Sequence, residues 1–219
     1  LYDEAKARGD VENPRENVLF FRSVHPDVIH FNTTRIVGRS NLDAWSLTDA
    51  EMEGRRQVAQ MARFLKTRIA GFEKAYLMKM GPQIGVRESR RIMGRYVLTA
   101  DDVLSARHFD DGIACACYDI DIHNPAGTGT VIKRLEPGTY YKIPYRCLIP
   151  ENVDNMLIAS RCISSTHAAH SSLRVMPIVW SIGQAAGTAA ALCLKKSARP
   201  DQLAASELRD MLTGQGAFV

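Results

Sequence analysis

Much of what would classify a chain quickly is missing from this one. There is no initiator Met: the 219 residues begin Leu1-Tyr2-Asp3, and no charged-then-apolar export signal follows. The chain therefore reads as a piece of a longer protein. Charge of neither sign dominates, since 28 Lys and Arg against 24 Asp and Glu leave a net charge of +4, too small and too scattered for a nucleic-acid partner. Cysteine is scarce and odd in number. The five residues Cys115, Cys117, Cys147, Cys162 and Cys193 have no framework spacing, which fits reduced thiols and a cytoplasmic location better than a secreted disulfide scaffold. Internal repeats and low-complexity tracts are absent. What is present is ordinary: 46% apolar and 24% charged residues exclude wholesale disorder and leave room for one large domain or two small ones.

Residues 1–19 are polar, carry Pro14, and read as a leader or a cut loop. Strand-like material at 28–36 precedes the clearest helix. Its start is marked by Thr48-Asp49-Ala50-Glu51, a capping-box pattern, and its apolar face by Val58, Met61, Leu65, Ile69 and Phe72. Arg55, Arg56, Arg63, Lys66 and Arg68 form a solvated face, and Gly71 stops the helix. A short helix capped by Thr99 and Asp102 follows, then strands at 113–122, 140–148 and 156–159, separated by turns at 124–129 and 136–138. Period 2 puts Cys115 and Cys117 on one strand face as small buried residues. Asp119, Asp121 and His123 also alternate on one face, and a polar network is preferred to a metal, so no metal site is expected. An apolar helix at 177–194 and an amphipathic one near 202–212 close the chain.

From residue 175 to 194 no side chain is charged, which is long enough to span a bilayer. Seven of those twenty residues are Ala or Gly, and Pro177, Ser181, Gln184 and Thr188 dilute the rest, so no membrane is expected. The expectation is a helix packed closely on all sides, its small residues letting a backbone or a ligand approach the axis.

Residues 155–177 are the most informative. A short apolar strand ends at Ala159-Ser160, a polar loop rich in Ser and His follows, and the uncharged helix begins at Pro177, where a missing N–H is no loss. That order delivers backbone donors and the positive end of a helix dipole to a strand-loop-helix crevice, which suits an anionic or electron-rich group.

Ala159-Ser160-Arg161-Cys162-Ile163-Ser164, His167, Arg174-Val175-Met176-Pro177 and Gly183-Gln184-Ala185-Ala186-Gly187 resemble the C-terminal flavin-binding segment of FAD-dependent oxidoreductases of the glutathione-reductase-like superfold. Arg87-Glu88-Ser89-Arg90-Arg91, Tyr96-Val97-Leu98-Thr99, Asp119-Ile120-Asp121-Ile122-His123 and Tyr141-Lys142-Ile143-Pro144-Tyr145-Arg146 extend the likeness from about residue 28 to the end. The resemblance implies a mixed α/β fold: a substrate or cap subdomain over 20–80 and the distal part of a flavin domain over 81–219. It implies FAD as cofactor, with Ser160 and Arg161 beside the ribityl-phosphate part, Val175, Met176 and Pro177 at the ring, and Gly183 and Gln184 on the helix behind. Ser160 stands where the family usually has Gly. His167, His170, Arg174, Arg90 and Glu88 are the candidates for the substrate side. His170 and Arg174, four apart, resemble a pair that orients a substrate carboxylate. The bland readings are a hydrogen-bonded loop His at 167 or 170, and an internal ion-pair lock made by Glu88, Arg90 and Arg91.

A flavoprotein of this superfold also needs G-x-G-x-x-G in a strand-turn-helix for the ADP half, and none occurs. Gly127-Thr128-Gly129 is a fragment of one and reads as a hairpin loop. The dinucleotide-binding βαβ unit is therefore expected to be missing. The parent enzyme would exchange a hydride or an electron pair between a small organic substrate and FAD, with a separate electron donor or acceptor. The chain alone would be inactive and bind FAD weakly or not at all; an oligomer is compatible with it. The competing reading is a non-catalytic binding module, carbohydrate-related, that keeps the fold without the cofactor.

Overall fold

The computed structural model describes residues 1–123 and 129–219. The turn expected at 124–129 and the hairpin loop read into Gly127-Thr128-Gly129 lie, but for Gly129 itself, outside the described residues. The fold is mixed α/β, with helices and two-stranded sheets. The described residues divide into two compact units, one of residues 1–86 with 123 and 129 and one of 87–122 with 130–219. The division falls after Val86, beyond the boundary expected at 80/81.

In the first unit, helices α1 (Tyr2–Ala7) and α2 (Ala44–Arg68) accompany an antiparallel pair, β1 (Phe20–Arg22) and β2 (Ile29–Phe31). Residues 1–19 are tied down: Ala5 and Val11 are buried with Met61 and Phe64 of α2. That α2 is capped five residues before the expected Thr48 has a simple cause. Asp43 is an equally good cap, and its carboxylate accepts the Ser46 N–H at 2.7 Å. The buried stripe is also rotated from the expected one and runs through Ala50, Gly54, Gln57, Met61 and Phe64. A polar residue sets that rotation. Gln57 accepts the Arg35 N–H and donates to the Arg35 carbonyl, both at 2.9 Å, so a hydrophobic count misses it. At Gly54, a Cβ would press on Ile84 and Ile36 at 3.3 and 3.4 Å.

The second unit is built on an antiparallel pair, β3 (Gly112–Ala116) and β6 (Tyr141–Pro144), with a bulge between Gly112 and Ala114. A second pair joins β4 (Ile120–His123) to β5 (Thr130–Lys133). Around them lie α3 (Ala100–Leu104), α4 (His167–Leu173), α5 (Met176–Lys196) and α6 (Ala205–Gly214). Ile113, Tyr141, Ile143, Leu148, Ile163, Leu173, Ile182 and Leu208 are buried in one core. Helix α3 carries the expected capping box of Thr99 and Asp102.

Several expectations are corrected here. The strand expected at 113–122 breaks after Ala116, so Cys117 lies beyond it and is exposed, while Cys115 is only half-buried. The strand expected at 140–148 stops at Pro144, which has no N–H to continue a ladder, and turns into a 3₁₀ helix over Tyr145–Leu148. No strand forms at 156–159, where the Ile158 N–H reaches the Leu148 carbonyl at 2.8 Å, and a 3₁₀ turn, Ser160–Cys162, follows. The Ser- and His-rich segment is not a loop but α4. Nor is α5 packed on all sides. Ile178, Ile182, Ala185, Ala189 and Leu192 are buried on one face, while Met176, Trp180 and Leu194 are exposed, and a Cβ at Gly183 or Gly187 would meet nothing within 4 Å. Among the described residues, α5 is the one helix long and apolar enough to cross a membrane, and 39% of its apolar window is buried.

Candidate functional site

Helix α4 organises the site, although its residues are mediocre helix formers. The Thr166 hydroxyl caps it by accepting the Ala169 N–H at 3.3 Å, and Ala169 and Leu173 anchor it in the core. Its remaining side chains then project to two sides.

On one side it meets the loop between β3 and β4. Tyr141 and Ser172 share a hydrogen bond at 2.7 Å, and the Ser172 hydroxyl donates to the Tyr118 carbonyl. Ser171 accepts the Asp121 N–H at 3.2 Å. Arg174, the C-cap residue, donates from Nη2 to the Asp121 carbonyl at 3.2 Å and lies 3.7 Å from its carboxylate. Tyr118 donates to the same carboxylate at 3.4 Å. Asp119 turns the other way, taking the Leu135 N–H at 3.0 Å. The alternating acids are thus part of a polar network, and no group of three His, Cys, Asp or Glu among the described residues could hold a metal ion.

On the other side α4 meets the segment after residue 86. The Glu88 carboxylate pairs with Arg91 through Oε1 and with His167 Nδ1 through Oε2, the latter at 2.6 Å; Arg91 is itself fixed by donating Nε–H to the Ser165 carbonyl at 2.8 Å. An ionised carboxylate only accepts, so His167 carries its proton on Nδ1 and leaves Nε2 as a basic atom on a side chain that is 53% exposed. Burial lowers the His167 pKa from the ordinary histidine value, and the positive charges of Arg91 and Arg174 lower it further. His170 lies deeper, 2% exposed, with Nδ1 4.0 Å from Glu88. Burial, then Arg91, Arg174, His167 and Arg161, push it down to about 4, so it is neutral at physiological pH. Burial likewise lowers Arg91 and Arg174, which remain cations.

Five residues named from sequence for the substrate side thus separate. Glu88 and His167 form a directed pair, His170 is buried beneath it, and Arg174 is engaged with Asp121. Arg90 is exposed, and the guanidinium that holds Glu88 belongs to Arg91 instead. Tyr118, Ser171 and Ser172 were missed because nothing in their own pattern marks them; only the fold of α4 brings them together.

The residues named for the cofactor cluster around the start of α5. Val175 is its N-cap and supplies no side-chain bond, Met176 is 68% exposed, and Pro177 sits in the first turn. The Ser160–Cys162 turn packs against α5. Ser160 is exposed with φ +78°, a left-handed conformation that favours glycine, and Arg161 is exposed beside it. Gly183 and Gln184 follow on the open face of α5, Gln184 donating to Gln215 at 3.1 Å. An uncapped first turn, with its dipole directed outward beside an exposed bend, fits the electron-rich edge of a flavin, whose reduced form carries negative charge.

No match was found among curated proteins or solved structures. The family model described as FAD dependent oxidoreductase matches residues 2–212, nearly the whole chain. Enzymes of that family carry FAD, and with its mixed α/β fold the chain belongs to the FAD dependent oxidoreductase family.

Proposed function

We propose that these residues form the distal part of a flavoenzyme that moves a hydride or an electron pair between a small organic substrate and FAD, the ADP-binding βαβ unit lying in sequence outside them. A separate electron carrier restores the flavin. The observation that carries the reading is the chain Arg91–Glu88–His167, which ends in an exposed, unprotonated imidazole nitrogen.

When bound, FAD supplies the two-electron acceptor or donor. The residues of this chain handle position and protons. A substrate that loses hydride from carbon must also release the proton on its oxygen or nitrogen, and His167 Nε2 accepts it; in the reverse direction the same atom returns it. Glu88 fixes the tautomer that makes Nε2 the base, and Arg91 fixes Glu88. Val175, Met176 and Pro177, with Ser160 and Arg161, hold the cofactor.

The test is His167→Gln in the full-length parent. Turnover is expected to fall roughly a hundredfold to ten-thousandfold, with loss of the acidic limb of the pH profile and little change in KM. Unchanged turnover would remove His167 from the chemistry and the reading with it.

A further inference from the structure

A cleft of about 610 Å³ in the second unit shares no residue with the site above. Its lining combines buried apolar Phe109, Ile149 and Leu203 with exposed Arg95, Arg107 and Arg146. Each arginine is held by a carboxylate beneath it. Arg95 Nη2 lies 2.9 Å from Asp201, Arg107 Nη1 2.9 Å from Asp102, and Arg146 grips Asp111 with Nε and Nη2 at 2.9 and 3.2 Å. The partners differ sharply in exposure: 40%, 54% and 48% for the arginines against 14%, 4% and 16% for the carboxylates. The charges pair in number but not in position, and the layer that faces solvent is cationic.

Two of these guanidiniums also stack on aromatic rings. Arg107 lies over the Phe109 ring at 4.8 Å and Arg146 over Tyr96 at 5.1 Å. Each uses part of its donor set on its carboxylate, and Arg107 Nη2 and Arg146 Nη1 have no hydrogen-bond partner among the described residues. The exposed carboxylate of Asp110 is the opposing charge on the rim, and His108 stands beside it. Planar forks fixed in advance and facing a cleft of small-molecule size are the arrangement that recognises oxyanions.

We propose that this cleft binds a compact oxyanion carrying two or more negative charges, a phosphate ester or a polycarboxylate. A singly charged ligand engages one guanidinium and gains little over water. A ligand with two anionic groups bridges two or three.

The purified chain is titrated calorimetrically with inorganic pyrophosphate, citrate and acetate at 50 mM NaCl. Pyrophosphate or citrate is expected to bind at least tenfold more tightly than acetate, and the tighter of the two assigns the source as phosphate or carboxylate. Neither binding more tightly than acetate overturns the proposal. Arg107→Gln and Arg146→Gln are each expected to weaken the tighter ligand about tenfold. Both leave the carboxylates with other donors, since Asp102 keeps Thr99 and Tyr96 and Asp111 keeps the Arg146 backbone N–H. Unchanged affinity in both also overturns the proposal. Should a variant fail to fold, phenylglyoxal footprinting of the unaltered chain decides: pyrophosphate or citrate must protect Arg107 and Arg146 and leave exposed Arg63 and Arg68 reactive.

Discussion

At the scale of single residues, Ser160 and His170 each carry a physical cost. A left-handed backbone costs an L-residue roughly 1–2 kcal/mol, and Ser160 accepts that cost at φ +78° with its side chain exposed. Ser160→Gly removes the clash but gives the unfolded chain more freedom, so a net stabilisation of about 0.5–1 kcal/mol is expected in urea denaturation. A loss of stability would mean that the hydroxymethyl group makes a favourable contact. The cost at His170 depends on pH. Its folded pKa of about 4 lies below the unfolded value of about 6.5, so between these limits the unfolded chain binds the extra proton. Stability is full above pH 6.5 and is lost as pH falls, by about 2 kcal/mol between pH 7 and 5. His170→Gln is expected to flatten that part of the curve when both proteins are melted across the range; an identical slope in the two would contradict it.

Helix α4 shows what the scale of elements adds. It is seven residues long, too short to persist by propensity, and it stands on its cap and its buried residues. Thr166→Ala leaves the Ala169 N–H without its acceptor and should cost about 1 kcal/mol, while Thr166→Ser should restore most of it. Equal melting of all three proteins would remove the cap from the account. The same helix marks where reading the sequence runs out. Helices α3 and α5 were legible because a capping box and a long uncharged run are local signals. His167, Ser171 and Ser172 form a helix because their side chains find Glu88, Asp121 and Tyr118, partners about 50 to 80 residues away. Glu88 and His167 could each be named from motif order, yet not as a hydrogen-bonded pair. The choice of Arg91 over Arg90 rests on the Ser165 carbonyl, which no local pattern reveals.

For the molecule as a whole, membership of an FAD dependent family meets a sequence without the usual ADP-binding motif. It has the uncapped start of α5 and the exposed Ser160–Cys162 turn, and nowhere in its 219 residues a G-x-G-x-x-G. Titration of the chain with FAD is expected to give no stoichiometric yellow complex of sub-micromolar affinity, and such a complex would show that the cradle is already complete. Helix α4, by contrast, carries a scale of length of its own. His167 opens α4 and Arg174 ends it, so seven steps of 1.5 Å separate them, about 10 Å along a rigid axis. A loop between them could stretch. A helix acts instead as a ruler: α4 fixes the distance between the Glu88–His167 pair at its start and the Arg174–Asp121 contact at its end, so a change in its length would break one of the two.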